Sequence, residues 1–526
     1  MGQRLRGRGA RTSAATGQDH VGHEQWRTRR RLGEKTEDPF GLEGFDLRSG
    51  PSHVRGALMV RLLSPPKNLR NRLRRRRARR GVALIMVLST LTILSFMLSE
   101  FQDMMSAELQ SSLTTRDQVK AEYAAKSAVN LARLLLAAEP TIRRDLVPLM
   151  MMLGEQPKQI PVWNFSDAVL GAFNDQDGTE AFQNLSGLNA KAGRNLGLEG
   201  AGFYMKIIDE DSKINFNMAA RADTFSQQRT AEQILALIGG AQYNEYFERP
   251  DENGDLNTRQ IVCGAIIDWV DPNTDLNPCE PRNQNASQAG AEDSYYQLLP
   301  RPDLRKNAAF DSLEELRLVR GVTDDFWTTF IQPDPDRPET RNVTVWGTGQ
   351  VNVNTANPQT LMSLACMLAK PDTPLCMDPV QQMQFIQTLQ ILAGFSGGMP
   401  LFSSAKDFVN TIQGKGKAAA FLTMMIPDFK PIAQLSESEL LKVLSTESKV
   451  FSIYATGYVR AGKFETKKAV HAVVDMRGAP PPGGAADLAI YEQLQRSGGE
   501  LDPNNPSANP FLLPSPGGSL VYFRVD

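Results

Sequence analysis

Histidine is nearly absent from this chain. The 526 residues hold four, at His20, His23, His53 and His471, and only His471 lies beyond residue 53. It sits in an alternating stretch that reads as strand. Hydrolytic triads and zinc-assisted catalysis ordinarily need a histidine in the site, so an enzyme is not expected. Cysteine is also scarce. Cys263, Cys279, Cys366 and Cys376 are the four, with no C-x-x-C and no Cys/His zinc spacing among them. Glycine and proline are missing altogether from Val82 to Glu139, and charge is missing from Gly81 to Ser99. The first absence leaves a long helix uninterrupted. The second leaves an apolar run, Val82 to Leu98, just long enough to cross a hydrocarbon core.

Charge is present but segregated. Residues 1–81 carry 21 Lys and Arg against 7 Asp and Glu, whereas the remainder carries 37 against 52. The near-neutral total therefore hides a basic leader and an acidic body. An acidic body argues against nucleic acid as the main ligand and suits divalent cations or a basic partner surface. Nine of the fourteen residues from Lys67 to Arg80 are basic, which places that flank on the cytoplasmic side and the C-terminal side outward. A small-residue cleavage site after the apolar run is lacking. A glycine, Gly81, precedes the run instead. That junction resembles a prepilin-type signal, in which a dedicated peptidase cuts after the glycine, here between Gly81 and Val82. On the junction alone, a plain single-pass signal anchor fits as well.

Residues 1–58 are rich in Arg and Gly without apolar period and read as disordered. An alternative translation start at Met59 is an expectation. The helix is expected to end at Pro140, giving a continuous helix on the order of 80 Å long at 1.5 Å per residue. Phe203–Asp209 alternates as a strand, and Phe451–Val459 and Thr466–Asp475 form a hairpin turning at Gly462. Between them an internal repeat appears. INFNMA at Ile214–Ala219 is echoed by VNVNTA at Val351–Ala356, each followed by an apolar-periodic helix. Phe310–Val322 is loosely echoed by Leu401–Gly414. SLEELRLVRGV resembles helix-hairpin-helix or SAM-like units, whose usual partner is the DNA backbone, yet Asp324 and Asp325 follow it where phosphate would be repelled.

An even cysteine count beyond a membrane anchor fits an oxidising compartment. Cys366 and Cys376 close a short loop and are the favoured disulfide, leaving Cys263 to Cys279; four buried thiols are the alternative. The best ligand signal is IIDWVDPNTDLNPCE with GAEDSYY. Asp271, Asn273 and Asp275 at i, i+2 and i+4 converge oxygens as the start of an EF-hand does, and Glu292 and Asp293 add carboxylates. Asp268 lies one helical turn earlier. A solvated acidic loop is the bland alternative. DENGDLN, with Asp251, Asn253, Asp255 and Asn257, is a weaker second candidate.

Taken in order, RG-VALIMVL, DEDSKINFN, IIDWVD, GAEDSYY, FDSLEELRLVRGV and VNVNTA resemble the minor pseudopilin K family of the type II secretion system, over roughly residues 75–475. The resemblance implies an α+β fold: a pilin-like long N-terminal helix on a small antiparallel sheet, with a large helical (SAM-like or helix-hairpin-helix-like) domain inserted. It implies a leader at 1–81, removed by a prepilin peptidase, and a helix at 82–139 with a transmembrane segment at 82–98. First strands follow at 140–212, the inserted two-unit domain at 213–445, late strands at 446–477 and a disordered or loosely attached tail at 478–526. It implies calcium, with Asp271, Asn273, Asp275, Glu292 and Asp293 as ligands. Its partners would be other minor pseudopilins, the major pseudopilin, the prepilin peptidase and secreted substrate or the outer-membrane secretin. Its place would be the bacterial inner membrane, single pass, with the body in the periplasm. Ordinary pilins have glutamate five residues after the cut; here Met86 stands there. That suits a subunit at the filament tip, with no neighbour above whose amine needs a carboxylate. A membrane-anchored competence-type protein that binds DNA through hairpin units is the second reading, and a periplasmic metalloenzyme a third, disfavoured by the missing histidines.

Overall fold

The computed structural model describes residues 67–152, 158–166 and 171–174. It then describes 198–479 apart from 199, 222, 251–253, 282, 284–286, 300–301, 303, 371, 397, 427–428, 434 and 463. Residue 515 and residues 517–526 complete it. It divides into two compact units, 1–93 and 94–526. The expected disorder of 1–58 and most of the tail lie outside the described residues.

Helix α1 spans Lys67–Met152. From Gly81 on it contains a stretch long and apolar enough to cross a membrane, and Val82 to Leu98 stand exposed there. Within the second unit α1 turns a small-residue stripe inward: Ala121, Ala124, Ala125, Ala128, Val129, Ala132 and Leu136 are all buried. Pro140 and Pro148 lie inside α1, so the helix runs past the end expected at Pro140. A proline removes one N–H and clashes only locally. Here the ion pair Glu139–Arg143, 3.3 Å across Pro140, ties the two sides together.

The stripe packs on an antiparallel sheet of order β1-β6-β7-β8. β1 is Ala201–Asp209. Four two-residue strands lie in the insertion: β2 Ile214–Asn215, β3 Val343–Thr344, β4 Val351–Asn352 and β5 Leu444–Ser445. β6 is Val450–Ala461, β7 Phe464–Asp475 and β8 Ser519–Val525. Alternation sends Phe203, Met205 and Ile207 of β1, Phe451, Ile453 and Ala455 of β6, and Val470, Ala472 and Val474 of β7 into one core with α1. Gly457 is where β6 touches the helix; a Cβ there would collide with the Ala121 carbonyl. β8 corrects the expectation of a loose tail at its very end. It pairs with β7, and Arg133 of α1 donates to the carbonyls of Gly517 and Gly518 at 2.8 and 2.9 Å.

The described residues between Ile214 and Leu444 build a second core, mostly helical. The INFN and VNVN echoes have the same construction. β2 pairs in parallel with β3, and β4 with β5. Asn215 Oδ1 accepts from Asn217 N, and Asn352 Oδ1 accepts from Asn354 N, both at 2.9 Å. Asn217 then exchanges two hydrogen bonds with the Phe310 backbone, and Asn354 does the same with Phe402. Each motif leads into a capped helix, α2 at Thr224–Ile238 behind Asp223 and another at Pro358–Met367 behind Asn357. The Phe310 and Leu401 segments are thus the paired partners of the two Asn motifs.

Candidate functional site

Helix α3, Arg259–Val270, starts at the Thr258 cap and runs into Asp271. Two loops close over it. Gly264 lets them approach, since a Cβ there would lie 2.5 Å from the Asn277 carbonyl and 2.8 Å from Gly290 Cα. Gly290 has φ +87°, which a side chain would disfavour. Asp268, fully buried, stitches both loops to α3 by accepting from Asn277 N at 2.8 Å and Ala291 N at 3.0 Å. Burial pushes its carboxyl up to about 8 despite those bonds. A disulfide between Cys263 and Cys279 fixes the first loop to α3, and a second joins Cys366 to Cys376.

The expected ligand residues separate into two groups. Asp271 is buried, and its Oδ2 accepts from Asn273 Nδ2 at 2.7 Å. Asn273 Oδ1 accepts from Asp275 N at 2.7 Å, so Asp275 joins through its backbone while the residue itself is exposed. Glu292 is buried and Asp293 half-buried, at the start of the short helix α4, Asp293–Gln297. Asp271, Glu292 and Asp293 converge; the Asp275 carboxylate is not placed with them. Of the second candidate loop, Asp251 and Asn253 lie outside the described residues.

They converge on a residue that the sequence did not signal, Arg305. Its side chain is wholly buried. Nε lies 2.5 Å from Glu292 Oε2 and 3.3 Å from Asp293 Oδ1, and Nη1 lies 3.4 Å from Asp271 Oδ1. Nη1 also donates to the Asp268 carbonyl, and Nη2 to that of Asn273. Burial raises the Asp271 and Glu292 carboxyls, and the nearby guanidinium opposes this. Both Glu292 oxygens and Asp293 Oδ1 are buried without a hydrogen-bond partner, although each residue is ion-paired to Arg305. The donor set is all oxygen, of hard carboxylates and backbone carbonyls, as calcium prefers. Among the described residues no three His, Cys, Asp or Glu side chains form a metal-ready group by themselves; here the three carboxylates are paired with the guanidinium.

Residues 212–330, which include both loops, match the family model described as Type II secretion system (T2SS), protein K. No curated protein matches the chain. Among solved structures, a chain of the GspK-GspI-GspJ complex from the enterotoxigenic Escherichia coli Type 2 Secretion System is similar at 13% identity and TM-score 0.34. The match covers 63% of this chain and 82% of that one. The family whose motifs the sequence resembles and the family matched by residues 212–330 are the same, the protein K family of the type II secretion system.

Proposed function

We propose that this chain is a minor pseudopilin acting at the tip of a type II secretion pseudopilus. There it helps to start assembly and so supports export of folded proteins from the periplasm. The observation that carries the reading is the insertion of a protein K domain into a pilin-type frame: α1 laid on β1, β6 and β7, with the matched domain between β1 and β6. The apolar part of α1 would anchor it in the inner membrane, with the body in the periplasm, after a prepilin peptidase cuts between Gly81 and Val82. Gly81 is exposed on α1. Its partners would be the other minor pseudopilins and the major pseudopilin, with secreted substrate or the secretin as further contacts. The SAM-like or helix-hairpin-helix-like character of the inserted units belongs to this reading as well.

Two observations speak against DNA as the partner of the hairpin stretch. Arg317 is stacked 4.2 Å over Trp327 and ion-paired with Asp324. Arg320 is stacked 4.3 Å over Tyr295 and bonded to Asn257. Both cations are committed within the domain.

Calcium is part of the proposal. Asp271, Glu292 and Asp293, with the carbonyls of Asp268 and Asn273, would hold it, and its charge would neutralise the acidic loop. The test of the whole reading is the mature membrane form. Mass spectrometry should find its N-terminus at Val82, and it should co-purify with the other minor pseudopilins; Gly81→Val should leave an uncut precursor and abolish secretion. A mature N-terminus elsewhere would overturn it.

A further inference from the structure

The oxygens around Arg305 form a cage about its guanidinium, and the carboxylates in it are the ones expected to bind calcium. Asp271 Oδ1, Glu292 Oε2, Asp293 Oδ1 and the carbonyls of Asp268 and Asn273 all face the guanidinium. A guanidinium has five N–H donors in a fixed planar fork and satisfies several such oxygens at once. Calcium takes six to eight oxygens in irregular geometry. The guanidinium and calcium would draw on the same oxygens. Three carboxylates meet a single positive charge, so the cage stays underneutralised with Arg305 in place. The unbonded second oxygen of Glu292, on a residue 7% exposed, shows the same deficit.

We propose that Arg305 is the resident counter-ion of this cage and competes with calcium for it. The inserted domain then has a metal-free form held by the guanidinium and a calcium-loaded form in which the guanidinium has been displaced. This rests on the calcium reading above and adds to it a built-in competitor. The competitor has consequences. The empty loop is not left to like-charge repulsion, as the acidic pattern alone would predict, but is pinned by Arg305. The free calcium needed for loading is raised, because the metal must first displace a charge already paired.

The test uses the full-length chain in detergent, stripped with chelator and titrated with calcium by calorimetry, with melting curves in parallel. Arg305→Gln should bind calcium at least about tenfold more tightly than wild type, since a unit charge at contact distance is worth more than that even at protein-like dielectric. Its melting midpoint should fall below wild type in chelator and recover in calcium. Arg305→Lys keeps the charge but loses the fork, and should fall between the two. If Arg305→Gln folds only when calcium is present throughout, that dependence supports the competition; if it folds in neither condition, Arg305→Lys must still bind more tightly than wild type. Calcium binding by wild type that Arg305→Gln leaves unchanged or weakens would overturn the competition while keeping calcium. No calcium binding by any of the three would remove the calcium reading, and the competition with it.

Discussion

At the scale of single residues, a second cluster of buried charge, besides the one around Arg305, lies where the two cores meet. Asp209, Glu210, Asp211 and Lys213 are all buried. Asp211 accepts from Lys449 N at 2.7 Å and Val450 N at 3.1 Å, and Asp209 accepts from the hydroxyls of Ser448 and Thr355. The exit from β1 is thereby bonded to the return into β6. Burial, with the Asp211 charge beside it, pushes the Asp209 carboxyl up to about 7. The sign follows from proton counting. Below about pH 4 both folded and unfolded chains hold this proton. As pH rises from about 4 to about 7 the unfolded chain releases it and the folded chain keeps it, so stability falls across that window and levels off above it. Asp209→Asn should remove the fall, which amounts to at most roughly 4 kcal/mol over about three pH units. Denaturant unfolding of both proteins at pH 5 and pH 8 measures it; an equal difference at the two pH values would mean that Asp209 is ionised throughout. DEDSK was legible as a motif but its role was not, because Ser448 and Lys449 lie more than 230 residues away in sequence. Arg305 escaped for the same reason. Its partners come from two separate loops, Asp268 to Asn273 and Glu292 to Asp293, and neither spacing nor period marks it.

Among the elements, those built on period were readable and those built on contact were not. β1, β6 and β7 follow from alternation, and α1 from its helix formers. The end of α1 was misplaced because Pro140 costs one hydrogen bond, which the Glu139–Arg143 pair helps to offset. β8 was missed because a single strand beyond a Gly- and Pro-rich stretch has no hairpin partner in sequence; its register comes from β7 and its anchor from Arg133. The seam between α1 and the sheet yields a direct prediction. Alanines on α1 and Gly457 on β6 bring the two backbones together. Gly457→Val must push β6 off the helix, and overpacking of that kind costs on the order of 3 kcal/mol or more. A melting midpoint well below wild type is expected, with Gly457→Ala between them. An unchanged midpoint for Gly457→Val would mean that helix and sheet do not close on each other at this point.

The molecule as a whole is a frame with a guest. The frame core comprises α1, β1, β6 and β7, and the guest core holds the residues between Ile214 and Leu444. The repeat explains why the guest could be recognised from sequence: its two Asn motifs each clamp a later segment, so the pattern recurs in the letters. The two units are not independent. α2 packs on α3 and on the Pro358–Met367 helix, and one hydrophobic cluster spans both units. Two disulfides, Cys263–Cys279 and Cys366–Cys376, close loops wholly inside the guest. Its entry and exit strands are bonded side by side, since Asp209 pairs with Phe451. A guest with a closed core, internal cross-links and adjacent ends should survive excision. Residues 213–447, expressed alone under oxidising conditions, should therefore melt in a single cooperative transition with no free thiols. What excision removes is the Asp209–Asp211 seam and the Glu210–Lys213 pair, at 2.9 Å with both side chains buried. Losing one partner of such a pair is costly, so the excised domain should melt below the intact chain, and cutting instead at 209–450 to keep the pair should recover part of the difference. Calorimetry of the two fragments and the intact chain decides the matter. A fragment that lacks a cooperative transition, in either version, would show that the guest needs the frame in order to fold.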